Sequence, residues 1–156
     1  MCIKSAFNYT RKANILDMLT TEGLDIEGLR RYVQWFYQLR NAELTWDGET
    51  RQSTVIKSGI PQGSPLSPVL FLIGLAKALE NADTRIQQEI TSHKIKVYSY
   101  MDDFNCTTEQ LPQAHRGRQQ EAITAARKAR EVVSQELGKC GWSRDPDKDE
   151  EINFGV

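Results

Sequence analysis

Two runs of alternating apolar and polar residues lie on either side of an acidic pair in the second half of the chain. From Lys94 to Met101, apolar residues alternate with lysines and tyrosines, which is the period of two expected of a half-buried strand. β-Compatible residues resume at Phe104, directly after the acids. The pattern therefore predicts a β-hairpin whose tip carries Asp102 and Asp103.

Most of the remaining apolar positions recur at helical spacing, and Asp47-Gly48 favours a tight hairpin between two further strands. Ile86 and Ile90 indicate either a continuation of the third helix or a separate piece. This order of elements predicts an α+β fold, with helices packed on one face of a small antiparallel sheet. Helices are predicted at residues 11–21, 26–37, 66–79 and 122–137, and the additional strands at 42–46 and 51–57.

Adjacent carboxylates have a chemical consequence, because two like charges held side by side repel, and more strongly where water is partly excluded. A divalent cation removes this repulsion, and hard oxygen ligands suit Mg²⁺ or Mn²⁺. Asp102 and Asp103 are therefore candidate metal ligands. The alternative is that aspartate is simply a favoured turn residue.

A loop rich in glycine and proline, residues 59–68, opens the long apolar run. Its glycines allow backbone conformations and close approaches that are closed to other residues. Ser64 or Ser67 is placed to cap the following helix, whose N-terminus is a site where an anionic ligand can bind. An ordinary loop-to-helix connection is the alternative.

Together, the loop Gly-Ile-Pro-Gln-Gly-Ser-Pro-Leu-Ser-Pro at 59–68 and Tyr-Met-Asp-Asp at 100–103 resemble the reverse transcriptases of retrotransposons without long terminal repeats and of group II introns. The resemblance extends over nearly the whole chain. It implies an RNA-directed DNA polymerase palm over residues 1–156, truncated, with fingers and thumb missing. The implied partners are an RNA template, a DNA primer and deoxynucleoside triphosphates, and the implied cofactors are two Mg²⁺ (or Mn²⁺) ions.

The chain departs from this family at its first catalytic segment, residues 2–8, which usually reads Asp-x-x-x-Ala-Phe-Asp. Cys2 and Asn8 stand where the family carries aspartates. Cysteine offers a soft sulfur and no second oxygen, so it is a poor Mg²⁺ ligand. We therefore expect metal binding to be weak or absent and the chain to be inactive. The alternative function is a decayed or repurposed module that binds nucleic acid or protein without catalysis.

The resemblance also assigns catalytic roles residue by residue. It implies that Asp102 is a metal ligand shared by both ions and that Asp103 is an accessory carboxylate. Lys148 corresponds to a lysine that would protonate or neutralise the departing pyrophosphate. Because Lys148 lies among acidic residues, a solvated surface lysine is an equal alternative.

Substrate-binding roles follow from the same resemblance. Phe7 corresponds to the ring beneath the incoming sugar, and Gln62 with Gly63 would shape the nucleotide pocket. Tyr100 would support the primer end. The alternatives are a core phenylalanine for Phe7 and a solvated loop amide for Gln62.

Composition limits these interpretations. A length of 156 residues suggests one domain, and a net charge of −1 with a pI near 6.1 argues against a strong grip on nucleic acid by this chain alone. The 3 cysteines show no paired spacing, so we expect reduced thiols and an intracellular protein, with nucleus or cytoplasm left open. The apolar run 69–76 is far shorter than the roughly 18 residues of a membrane span, so no membrane partner is expected.

Overall fold

The computed structural model describes residues 1–21, 27–38, 41–55, 58–109 and 117–150, which fall into two compact units. One unit contains residues 1–6 and 76–156, and the other contains residues 7–75. The strands are β1 (Cys2–Ile3), β2 (Asn41–Trp46), β3 (Glu49–Val55), β4 (Lys94–Tyr100), β5 (Asp103–Glu109) and β6 (Arg144–Asp145). The helices are α1 (Ala6–Tyr9), α2 (Lys12–Thr21), α3 (Glu27–Gln38), α4 (Ser67–Glu89) and α5 (Gly117–Lys139).

The first unit is built on a 4-stranded sheet in the order β4-β5-β1-β6, in which every neighbouring pair is antiparallel. The predicted hairpin is β4 and β5, paired from Lys94 opposite Glu109 to Tyr100 opposite Asp103. Strand β1 lies between β5 and β6 although it comes first in the sequence. The mixture of helices and a small antiparallel sheet confirms the α+β class.

Buried and exposed residues alternate along β5, so that one face of the strand is apolar and is covered by a helix. Phe104 is buried, whereas its neighbours Asp103 and Asn105 are exposed, so alternate residues meet core and solvent. Helix α5 packs against β5. Small and β-branched side chains dominate the buried positions of α5, which are Ala122, Ala125, Ala129, Val132, Val133, Glu136 and Leu137.

Strand β4 is less buried than its alternating sequence predicts. Ile95 and Val97 are half-buried on one side of the strand, and Tyr98 and Tyr100 are exposed on the other. The apolar side is therefore the more buried one, as predicted, but no residue of β4 is fully buried. Since β4 is the outer strand of the described sheet, only one of its edges is covered by a neighbour.

The second unit contains α2, α3 and the hairpin of β2 and β3. Asp47 and Gly48 form its turn with φ of 52° and 77°, the pair of positive values that a type I′ turn requires. The prediction of a hairpin at this dipeptide is thus confirmed. Residues 56–57, which were predicted to end the second strand, lie outside the described residues.

Helix α4 resolves an alternative that the sequence left open, because it runs without a break to Glu89 and therefore includes Ile86. Of the two serines predicted to cap it, Ser67 is a helical residue and not the cap. The Leu66 carbonyl accepts the Leu70 amide, and Ser67 lies inside the first turn. Among the described residues, no helix combines the length and the apolar character that crossing a membrane requires.

Candidate functional site

The β4–β5 hairpin turns through Met101 and Asp102, so only Asp102 lies at its tip. Asp103 is the first residue of β5 and sits opposite both Tyr100 and Cys2. Met101 has φ of 53°, which places a non-glycine residue in the left-handed region. This strain of the backbone turns the chain within two residues and leaves the two carboxylates next to β1.

Cys2 is the residue of β1 that meets the acids. Its side chain is only 5% exposed, and its thiol donates to Oδ2 of Asp102 across 3.5 Å. The backbone fixes this register: the Ile3 amide donates to the Asp102 carbonyl at 2.9 Å, and the Phe104 amide donates to the Met1 carbonyl at 2.7 Å. The structure therefore brings Cys2, Asp102 and Asp103 together.

The environment of Cys2 keeps its sulfur protonated. Burial away from water, hydrogen bonding to Asp103 and Asp102 and the negative charge of both carboxylates raise the pKa of Cys2 to about 11. The thiolate is the form of cysteine that attacks electrophiles and binds metals. At neutral pH this residue is therefore a neutral hydrogen-bond donor to the acids.

At the hairpin tip, the protonated thiol of Cys2 leaves the carboxylates of Asp102 and Asp103 as the candidate metal ligands. Among the side chains that the structure describes, no group of three or more His, Cys, Asp and Glu is arranged to hold an ion. The assignment of Asp102 and Asp103 as metal ligands stays a prediction.

In the second unit, the glycine-bounded loop is held by backbone contacts. Gly59 donates to the Thr10 carbonyl at 2.9 Å, and Ile60 donates to the Phe7 carbonyl at 2.8 Å. A Cβ added to Gly59 would lie 2.9 Å from the Asn8 carbonyl oxygen, and Gly59 has φ of 82°. Glycine is therefore required here both by conformation and by close approach.

The predicted substrate-binding residues of this unit differ in accessibility. Gln62 and Gly63 are exposed, and Gly63 has φ of 89° with no atom within 4 Å of an added Cβ. Phe7 is half-buried and stacks on the fully buried Phe71, with ring centroids 5.1 Å apart. Phe7 thus packs against the core on one face while part of the ring remains accessible. This position is compatible both with a ring beneath the incoming sugar and with a core phenylalanine.

Hydrogen bonding also determines how the loop enters α4. The Ser67 hydroxyl donates to the Pro61 carbonyl at 2.6 Å, and its side chain is almost fully buried. Ser67 therefore ties the loop to the first turn of α4, a role that its place in the sequence motif did not reveal.

The remaining predicted residues of the first unit lie at its surface. Tyr100 is 81% exposed at the end of β4. Lys148 is exposed and ends a 3₁₀ turn that directly follows β6, where Asp145 pairs with Cys2. The roles of Tyr100 and Lys148 stay predictions.

One member of the acidic group around Lys148 is not a solvated charge. The carboxylate of Asp149 is only 11% exposed and forms an ion pair with Arg144, whose Nε lies 3.0 Å from Oδ2. Sequence analysis missed this pair, and the spacing of the two residues carries no periodic signal that would have revealed it.

Comparison with known proteins identifies the family of this chain. Residues 2–152 match the family model described as reverse transcriptase (RNA-dependent DNA polymerase). The chain is 29% identical over 101 residues, 65% of its length, to the retrovirus-related Pol polyprotein from type-2 retrotransposable element R2DM of Drosophila melanogaster. It is 26% identical over 98 residues, 63% of its length, to the corresponding polyprotein from type-1 retrotransposable element R2 of Bradysia coprophila.

These matches span only 10% and 11% of the two polyproteins. No solved structure matches the chain significantly. The family match covers nearly all of the chain, including the glycine-bounded loop, Cys2 and the acid hairpin. The chain therefore belongs to the reverse transcriptase (RNA-dependent DNA polymerase) family, as its resemblance to retrotransposon enzymes predicted.

Proposed function

We propose that this chain forms the palm of a reverse transcriptase and that it does not catalyse nucleotidyl transfer while Cys2 is present. The family reaction is addition of deoxynucleotides to a DNA primer on an RNA template. The observation that carries the proposal is the position of Cys2, which pairs with Asp103 and lies 3.5 Å from Asp102. By resemblance, this is the position of an aspartate in active relatives.

The side chains beside the hairpin do not fit a pair of Mg²⁺ ions. Two-metal nucleotidyl transfer holds its ions about 3.5–4 Å apart, which calls for several hard oxygen ligands. Cys2 is protonated and soft, and the carboxylates near it in the described sheet, those of Asp102, Asp103 and Asp145, are not grouped to hold an ion. A single, loosely held ion is the most that Asp102 and Asp103 would bind.

The palm assignment is supported by the antiparallel sheet, in which β4 and β5 form the acid hairpin beside β1, and by the packing of α5 against β5. Within this proposal, Phe7, Gln62 and Gly63 contribute to a nucleotide site, and Tyr100 lies near the primer end. Lys148 would act on pyrophosphate. All five keep an accessible or partly accessible side chain or backbone, as contact with a substrate requires.

A non-catalytic module that binds nucleic acid or protein is the second candidate function. The observation that favours this second function is that β1 pairs with both β5 and β6 although Cys2 stands where the family carries an aspartate. The sheet is complete without the carboxylate, so the fold would persist after the loss of catalysis.

Primer extension tests the first proposal. We expect the native chain to add no nucleotides to an oligo(dT) primer on a poly(rA) template with either Mg²⁺ or Mn²⁺. In parallel, Cys2→Asp should tighten Mn²⁺ binding measured by electron paramagnetic resonance, because it adds a hard ligand beside the acids. Cys2→Ser, which adds no carboxylate, and Cys140→Asp, which adds one elsewhere, are the matched controls.

Template-dependent incorporation by the native chain that Asp102→Asn abolishes would overturn the proposed inactivity. Mn²⁺ binding that is equal in Cys2→Asp and Cys140→Asp would contradict the assignment of position 2 to the metal site.

A further inference from the structure

Helix α3 carries two different faces. Val33 and Tyr37 are buried on one of them, and Leu29 and Phe36 beside them are half-buried. On the other side, exposed residues recur at the spacing i, i+3, i+4 and i+7, which aligns them along one stripe of a helix. We call this stripe the α3 outer face, and it consists of Gly28, Arg31, Tyr32 and Trp35.

Two large aromatic side chains dominate the α3 outer face. Trp35 is 55% exposed and Tyr32 is 38% exposed, and their ring centroids lie 6.0 Å apart at an angle of 45°. Tyr32 also stacks on Phe36, with centroids 5.9 Å apart, which restrains its ring. Gly28 has no atom within 4 Å of an added Cβ, so the surface beside the rings is open. Burying such rings against a ligand would be favourable, and they are already held in place.

The charge beside this face is net positive, because Arg31 and Arg30 share the single carboxylate of Glu27. The Arg31 side chain is 77% exposed, and its Nε donates to Oε1 of Glu27 at 2.9 Å. That contact orients the guanidinium group through one nitrogen. An exposed guanidinium beside aromatic rings can bind a phosphate while the rings stack on bases.

We propose that the α3 outer face binds single-stranded nucleic acid, with bases stacked on Trp35 and Tyr32 and a phosphate held by Arg31. Trp, Tyr and Arg are also frequent in protein interfaces. The choice of nucleic acid rests on the charge of Arg31 and, in part, on the proposed function, since an RNA template is single-stranded where it is read. RNA is therefore the expected ligand.

Binding of a short, fluorescently labelled oligouridine RNA to the whole chain tests this proposal by fluorescence anisotropy. Trp35→Ala, Tyr32→Ala and Arg31→Ala should each weaken binding by about ten-fold or more, because base stacking and phosphate contacts are lost. Arg31→Ala should also reduce the slope of log affinity against log salt by about 0.7. Trp35→Phe should retain most of the affinity.

The matched controls are Trp46→Ala, which removes a tryptophan that is 66% exposed on β2, and Arg11→Ala, which removes an exposed arginine before α2. Both should bind within about two-fold of the native chain, since neither lies on the α3 outer face. Equal losses in the controls and in the α3 variants would overturn the proposal.

Absence of RNA binding by the native chain would also overturn it, as would unchanged RNA affinity in all α3 variants, which is the result expected of a protein-docking face. Oligo(dT) DNA of the same length distinguishes the two sugars, and preference for RNA or equal binding both support a single-strand site. The measurement uses neither nucleotides nor divalent ions. Failure of primer extension therefore leaves this result unaffected, and failure of RNA binding leaves the palm proposal unaffected.

Discussion

Replacing one carboxylate by a thiol at position 2 changes the charge, the hardness and the protonation of the hairpin site together. A third carboxylate beside Asp102 and Asp103 would repel both and would call for a cation. Cys2 instead donates a hydrogen bond to Asp102 and adds no charge at neutral pH. We therefore propose that a thiol at position 2 stabilises the two neighbouring carboxylates without a metal and makes the hairpin a weaker metal site.

Alkylation of Cys2 should report this coupling. The pKa of about 11 predicts slow reaction with iodoacetamide at pH 8 and a rate that rises as the pH approaches 11, because only the thiolate reacts. Removing a negative charge with Asp102→Asn should lower the pKa and move this rise to lower pH. Mass spectrometry of the labelled peptides measures the rates, and Cys140 serves as an internal reference.

A rise at an unchanged pH in Asp102→Asn would show that the carboxylate does not control the thiol.

For single residues, the sequence predicted which side chains lie near Cys2 but not the backbone conformation or burial of the residues around them. The expected meeting of Cys2 with Asp102 and Asp103 came from the family resemblance, because residues a hundred positions apart carry no periodic signal of contact. The left-handed φ of Met101 and the burial of Asp149 were not predictable. Both depend on how the chain closes around these residues rather than on their types.

Among the connecting elements, the glycine-bounded loop combines conformational and steric limits at Gly59. Gly59→Ala should destabilise the fold by about 2–4 kcal/mol, because it adds left-handed strain to a 2.9 Å contact with the Asn8 carbonyl. Gly63→Ala is the matched control. It shares a positive φ but has open space around the added carbon, so about 1–2 kcal/mol is expected.

Urea unfolding of both variants measures the difference. Equal losses of stability would mean that the backbone at Gly59 shifts to accommodate the added carbon, so that the contact with the Asn8 carbonyl is relieved.

Helices α4 and α5 are joined by a buried charge. Glu136 is 2% exposed, and its Oε1 accepts from Arg85 on α4 and from Lys139, each at 2.6 Å. Burial alone would raise the pKa of Glu136, but the hydrogen bonds from Lys139 and Arg85 outweigh burial and hold the pKa below its ordinary value. The stabilisation is therefore present above the ordinary carboxyl pKa and is lost as the pH falls through the lowered one.

Glu136→Gln should accordingly reduce the free energy of unfolding by about 1–3 kcal/mol at pH 7, and the difference from the native chain should shrink in acid. Glu80→Gln, which removes an exposed partner of Lys77, should cost less than about 1 kcal/mol. Chemical denaturation at pH 7 and near pH 3 provides the comparison. A penalty for Glu136→Gln that is independent of pH would assign it to packing instead of charge.

The positions of α2, α3 and α5 were largely predictable because apolar residues recur in them at helical spacing. The β2–β3 hairpin was predictable from its turn dipeptide, Asp47-Gly48. The second half of α4 was ambiguous. Its buried positions Ala82 and Ile86 are separated by charged residues, and the pairs of Arg85 with Glu89 and Glu136 that hold it are visible only after folding. Strand β6 was missed since two residues are too few for any pattern.

For the whole molecule, the question is whether the proposed inactivity resides in Cys2 alone. Four proteins separate the cases: the native chain, Cys2→Asp, the native chain fused to flanking segments of an active relative, and that fusion with Cys2→Asp. We propose that full primer extension needs both changes, because the chain matches only 10% and 11% of the two polyproteins and substrates must be positioned by all the surfaces that contact them.

Equal rates for the two fusions would show that Cys2 is not disabling and that Asp102 with Asp103 suffices. If all four proteins were folded and inert, the defect would lie in residues other than those named.

The pairing of the first strand with the last ones has a consequence for biosynthesis. The indole of Trp142 donates to the Ala6 carbonyl at 3.1 Å across a separation of 136 residues, and in the described sheet β1 pairs with β5 and β6. At 5–20 residues per second, a ribosome needs roughly 7–30 s to cover that distance. Until β5 is synthesised, the apolar strand Cys2–Ile3 has no partner in the described sheet. A message broken before the codon for Trp142 therefore yields a polypeptide that lacks β6 and the Trp142 contact and that chaperones and proteases can recognise.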